Sequence, residues 1–218
     1  MVKRIWACAA ALSFLTTGAG AELTLPELPS LAAVQEILAQ KADEIGHVWM
    51  FIRPGSGGGS YSIEDSFLRV RLDARGRGDG EFAFSGWVDD EWFDLDSRRI
   101  FAGRKDYSLN GFGANLDLRQ WGNFGKDYLL TGNIRLPDHR DFRVNVTFHY
   151  DDFRKAYDVS GDGLGVRLDA FSGWQMNGSV NLTRFPRTAL AAVGAAATLV
   201  INDTRPEREP KGGAKGKQ

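Results

Sequence analysis

From Tyr61 onward, apolar and polar residues alternate with a period of two. Leu68, Val70, Leu72 and Ala74 alternate with Arg69, Arg71, Asp73 and Arg75, and Phe142, Val144, Val146, Phe148 and Tyr150 alternate with Arg143, Asn145, Thr147 and His149. Tyr128, Leu130, Gly132, Ile134 and Leu136 keep the same rhythm, as do Leu164, Val166, Leu168 and Ala170. Successive side chains of a strand point to opposite faces, so each segment predicts a strand with one apolar and one polar face. Turn-forming clusters separate the segments: Gly76 to Gly80, Trp121 to Gly125, Pro137-Asp138 and Asp151-Asp152. The expected fold is all-β. Roughly eight to ten antiparallel strands joined by short loops form an up-and-down meander, closed into a barrel or strongly curved sheet.

Upstream the period changes. Leu31, Val34, Leu38, Ala42 and Ile45 follow Pro29-Ser30 at helical spacing, which predicts an N-terminal α-helix over Ser30–Ile45 that covers the sheet. Ser30 serves as its N-cap and Gly46 as its stop. His47 to Arg53 reads as a first strand. Residues 54–60 are a Gly/Ser-rich loop without the Gly-Lys-Ser/Thr ending of a phosphate loop. Before all of this, Lys3 and Arg4, the apolar run Ile5 to Thr17 and the small residues Ala19-Gly20-Ala21 form the three parts of a secretory signal. The expected organisation is a signal peptide at 1–21, helix and first strand at 22–53, loop at 54–60, β domain at 61–202, and a disordered Pro/Gly/Lys-rich tail at 203–218. The longest later apolar run, Thr188 to Ile201, falls short of the roughly 20 residues that a membrane-spanning helix needs. The chain is therefore expected in the periplasm or outside the cell.

An internal repeat overlies the alternation. Ser85-Gly86-Trp87-Val88, Thr131-Gly132-Asn133-Ile134 and Asn177-Gly178-Ser179-Val180 recur at intervals of 46 residues, and Tyr61, Tyr107 and Phe153 keep the same interval. Val70–Ala74 matches Val166–Ala170, and Phe84–Trp87 matches Phe171–Trp174. Three hairpin-centred units are expected within 61–202. The strands look too long for a trefoil, and three blades are too few for a propeller.

Composition narrows the chemistry. The 27 basic and 28 acidic residues leave no basic excess for a nucleic-acid partner. Loss of residues 1–21 removes Lys3, Arg4 and the single cysteine, Cys8, so disulfides, thiol catalysis and cysteine-held metals are excluded. Asp158, Ser160, Asp162, Gly163 and Asp169 stand at the spacing of the calcium loop, and the segment resembles that of EF-hand proteins. It departs from the pattern at Gly165 and in lacking flanking helices. No metal site or cofactor is expected. Arg77-Gly78-Asp79 resembles an adhesive tripeptide, but it also meets the demands of a tight turn. Asp89, Asp90, Glu91, Asp94 and Asp96 form an acidic cluster, which a glycosidase would use only as opposed carboxylates across a cleft. His47, His139 and His149 lack zinc spacing, and no Gly-x-Ser-x-Gly motif occurs.

These readings favour a non-catalytic envelope protein that binds an apolar or amphipathic, lipid-like ligand, or an envelope partner. The ligand would lie between the covering helix and the apolar strand face, against Leu68, Val70, Tyr128, Leu130, Phe142, Val144, Val146 and Phe148. Three alternatives stand beside this: a glycan-binding or adhesive module using Trp87, Trp92, Trp121 and Trp174, an outer-membrane barrel, and a hydrolase using the acidic cluster.

Overall fold

A computed structural model of the chain describes residues 45–55, 59–100, 105–122, 125–169 and 174–204. Among these residues twelve strands follow one another: β1 Ile45–Pro54, β2 Ser60–Asp65, β3 Val70–Gly78, β4 Glu81–Val88, β5 Glu91–Arg99 and β6 Tyr107–Gly111, then β7 Ala114–Trp121, β8 Asp127–Arg135, β9 Asp141–Asp151, β10 Ala156–Gly161, β11 Leu164–Asp169 and β12 Gln175–Asn181. A helix, α1, spans Arg187–Thr204. Each strand pairs antiparallel with its neighbours in sequence, and β1 pairs with β12 to close a barrel.

The meander and its closure agree with the alternation, but there are more strands than expected. One of the extra strands is β5, where the acidic cluster hides the rhythm: Phe93, Leu95 and Ser97 are buried while Asp94 and Arg98 are exposed. The apolar face of every strand points inward, and residues such as Arg71, Asp73, Arg75, Asp117, Arg143 and Arg167 lie on the outer face.

The helix is the main departure. Residues 30–44 of the expected N-terminal helix lie outside the described residues. Ile45 and Gly46, expected to end it, instead begin β1, where Gly46 opposes Val180. The described helix is C-terminal, runs over the stretch first read as the last part of the sheet, and ends only at Thr204. Every residue from Thr188 to Ile201 is buried, and α1 touches β1, β2, β3, β4, β8 and β9. A helix that is apolar all round must be enclosed, and here the barrel encloses it. The fit follows from size. About eight strands make a lumen that side chains alone fill, whereas twelve leave room for a slim helix. Ala189, Ala191, Ala192, Gly194, Ala195, Ala196 and Ala197 keep this one slim. A Cβ on Gly194 would come within 2.7 Å of Met50 Sδ.

Three glycines occupy matching places in the wall. Gly86, Gly132 and Gly178 oppose Leu72, Leu116 and Val166. A Cβ at these positions would lie only 2.0, 2.2 and 2.3 Å from a neighbouring carbonyl oxygen. Tyr61, Tyr107 and Tyr157 likewise oppose Ala74, Leu118 and Leu168. Phe153, matched to these tyrosines by spacing, instead lies in the β9–β10 turn and is 95% exposed. The Val70–Ala74 and Val166–Ala170 strings are also displaced by one pleat, because Leu72 and Val166, not Val70 and Val166, face the equivalent glycines.

Candidate functional site

The eight residues expected to line a ligand cavity face inward, and seven of them are buried in the core. Phe142 is partly buried and meets Phe185 edge-on at 5.6 Å. The side chains of α1 occupy the space a luminal ligand would need. Tyr128 also borders a small cavity of about 230 Å³ beside the end of α1, shared with Lys105, Lys126, Tyr150, Tyr157 and Asp203.

That end of the barrel holds a polar latch. The Tyr107 hydroxyl donates to Asp203 Oδ1 at 2.8 Å and the Tyr128 hydroxyl to Oδ2 at 3.3 Å. Tyr61 donates to Asn202 Oδ1 at 3.3 Å, and the Arg99 guanidinium lies 4.0 Å from Asp203 Oδ1. Burial pushes the Asp203 carboxyl above the ordinary carboxylate range, and the Tyr107 and Tyr128 bonds with the Lys105 and Arg99 charges only partly offset this. Burial, aided by the Asp203 charge, likewise raises Tyr107 and Tyr128. Asp203 thus belongs to α1 and not to the tail expected over 203–218. The signal that could have found it is the Asn-Asp-Thr triplet closing an apolar run.

The outer wall carries an aromatic row. Along β1 the outward positions are His47, Trp49, Phe51 and Arg53, with ring centroids 5.8 Å apart for His47–Trp49 and 6.3 Å for Trp49–Phe51. The Arg53 guanidinium sits 4.9 Å above the Phe51 ring. Trp49, Phe51, Arg53, Glu64, Ser66 and Phe67 line an open groove of about 550 Å³. The register extends the row sideways: Phe51 opposes Glu64, Glu64 opposes Arg71, Arg71 opposes Trp87, and Trp87 opposes Trp92. Beneath the groove, the buried Asp65 carboxylate accepts from the amides of Trp49 at 2.8 Å, Phe67 at 3.1 Å and Leu68 at 3.1 Å. This clamp holds the β2–β3 turn, and with it Phe67, against β1.

The four tryptophans of the glycan reading separate. Trp87 and Trp92 are half-exposed, and their rings meet at 5.4 Å and 82°, so they form an edge-to-face pair and not a coplanar platform. Trp121 is half-exposed at the end of β7. Trp174 packs against the core, and its carbonyl accepts from the Ile52 amide. Within the acidic cluster Asp89 and Asp96 are held in ion pairs, while Asp90, Glu91 and Asp94 are exposed. Asp96 pairs with Arg77 at 2.8 Å, Asp89 with Arg187 at 3.2 Å and Asp138 with Arg140 at 2.6 Å. Asp151 accepts from the amides of Phe153 and Arg154 in its turn.

The calcium-like segment forms the β10–β11 hairpin. Asp158 pairs there with Arg167 and Asp162 with Arg184, so its acids splay along the wall instead of converging. Among the described residues no group of His, Cys, Asp and Glu is arranged to hold a metal ion. Arg77-Gly78-Asp79 forms the β3–β4 tip, where Gly78, Asp79 and Gly80 all take positive φ. His149 lies 3.3 Å from Asp127, and His139 sits in the β8–β9 turn with φ 64°.

The opposite end of the barrel surrounds the start of α1. Here Val88, Leu136, Pro137, Leu182 and Pro186 join Arg140, Arg187 and Thr188 around an open cavity of about 530 Å³, with Asp89, Asp90, Glu91 and Asp138 also at its edge. No helix among the described residues is long and apolar enough to cross a membrane. Comparison of the chain with known protein families, with curated proteins and with solved structures finds no match.

Proposed function

We propose that this chain is an exported, non-catalytic envelope protein that binds an amphipathic ligand on its outer wall, in the groove between β1 and β2. The observation that carries this reading is the row His47, Trp49, Phe51 and Arg53 beside Phe67, which is 73% exposed, on a wall otherwise rich in charge. Exposed aromatic patches with a polar rim mark binding surfaces. The rings take an apolar segment, while Arg53 and Glu64 take a polar end. The lumen, filled by α1, supports moving the site from the inner face to the outer one. The charged outer wall favours water over lipid around most of the barrel, and the acidic residues engaged in turns and ion pairs support binding over hydrolysis. Export rests on the Lys3-Arg4, Ile5–Thr17 and Ala19–Ala21 segments, and cell fractionation tests it.

The binding test is titration of the full chain with lysophosphatidylcholine below its micelle concentration, followed by tryptophan fluorescence. Saturable one-to-one binding, weakened at least tenfold in W49A and F67A and unchanged in W121F, is the expected result. Absence of saturable binding, or indifference to W49A and F67A, overturns the reading. The half-exposed Trp87–Trp92 pair supports a second reading, a glycan ligand. Its perpendicular rings offer a sugar a single face, which ranks it second. Binding of oligosaccharides that is lost in W92A would favour it.

A further inference from the structure

The start of α1 carries donors that no described residue satisfies. In a helix the first amides have no intrahelical acceptor, so Arg187, Thr188 and Ala189 need partners from elsewhere. The preceding residue is Pro186, which has no capping side chain, and no described side chain bonds to these three amides. Thr188 is only 7% exposed and Ala189 fully buried. The Thr188 hydroxyl and Arg187 Nε are also buried without a hydrogen-bond partner. An unpaired buried donor is costly, and here several belong to adjoining residues of one helical turn. All belong to residues at or beside the 530 Å³ cavity described above, whose other walls include Val88, Leu136, Leu182 and Pro186.

We propose that this cavity binds a small apolar monocarboxylate, its head group at the first turn of α1 and its hydrocarbon body against Leu136, Leu182 and Val88. Two carboxylate oxygens match the two kinds of orphan donor, amide and hydroxyl, and the positive end of the helix favours an anion there. Asp89 holds Arg187 at 3.2 Å and Asp138 holds Arg140 at 2.6 Å, so these acids are neutralised by their partners. Asp90 and Glu91 stand exposed at the rim. Their charges select for a singly charged ligand over a dianion. This site is separate from the outer-wall groove and does not depend on it.

The test titrates the full chain with sodium octanoate, by calorimetry and by amide NMR shifts of residues 187–190. Saturable one-to-one binding is expected, weakened at least tenfold in T188V and retained in T188S and W49A. T188V removes a hydroxyl that has no partner in the unliganded protein, so its fold survives. Octanol, and octyl phosphate at pH 8, are expected to bind at least tenfold more weakly than octanoate. Equal binding by T188V and the parent chain, absence of saturable binding, or equal affinity for octanol or octyl phosphate overturns the proposal. Loss in W49A with none in T188V places octanoate in the outer groove and overturns this site alone.

Discussion

The Tyr107 hydroxyl donates to Asp203 Oδ1 at 2.8 Å, tying the start of β6 to the last turn of α1. Tyr128 reaches the other carboxylate oxygen from β8, so one buried side chain joins the central helix to two parts of the wall. Burial raises the Asp203 carboxyl above its usual range despite these bonds. The folded state therefore holds the proton more tightly than the unfolded chain does.

The sign of the pH dependence follows. The Asp203 contribution is fully present below the unfolded value, near 3.9, and is lost as pH rises through the raised folded value. Subtracting the unfolding free energies of D203N from those of the parent chain, measured in urea between pH 3 and pH 8, is expected to give a difference that falls with rising pH. A flat or rising difference would contradict the assignment.

The matching glycines make a second prediction. G86A, G132A and G178A each drive a methyl group into a backbone carbonyl, and each is expected to cost about 3 kcal/mol or more. G165A, where a Cβ meets nothing within 4 Å, is expected to change stability by less than about 0.5 kcal/mol. Chemical denaturation of G86A, G178A and G165A separates close approach of strands from glycine flexibility, whereas at Gly132 a positive φ of 143° adds strain of its own.

Leu199 is fully buried on α1 within the lumen. L199A is expected to lose about 2–5 kcal/mol. A loss below about 1 kcal/mol would mean that the helix does not share the barrel's core.

The Asp65 clamp predicts a larger effect than a surface acid would give. D65A leaves three backbone amides without an acceptor, at about 1–3 kcal/mol for an unsatisfied buried group. Loss of about 3 kcal/mol, with weakened lysophosphatidylcholine binding as Phe67 shifts, is the expected result. D94A on the outer face of β5 serves as the control.

The alternation of Leu72, Val144 and Val146 with polar neighbours was enough to read a one-sided antiparallel meander, because a half-buried strand has a period of two. The helix was not readable in this way. A helix enclosed on every side has no polar stripe, so Thr188–Ile201 shows an apolar run without helical period. Nor does period-two patterning fix register. Strings such as Val70–Ala74 and Val166–Ala170 match at any even offset, and only the cross-strand glycines reveal which pleats correspond. The outer groove was missed because Trp49 and Phe51 made the first strand look uniformly apolar. The cavity at the start of α1 draws on three separate chain connections, after β4, β8 and β12, which no local motif brings together.

Closure of β1 onto β12 has a consequence for the order of assembly. The helix follows β12 in the chain, yet it lies inside the wall that β1 and β12 seal. A segment that follows β12 in the chain is therefore best placed before β1 and β12 meet. The seam is where the chain commits to its fold, since every earlier hairpin can form without the helix and only the final pairing encloses it. Such dependence on contacts between distant parts of the sequence makes for slow folding, and it makes the β1–β12 seam the natural point at which an incompletely folded barrel stays open.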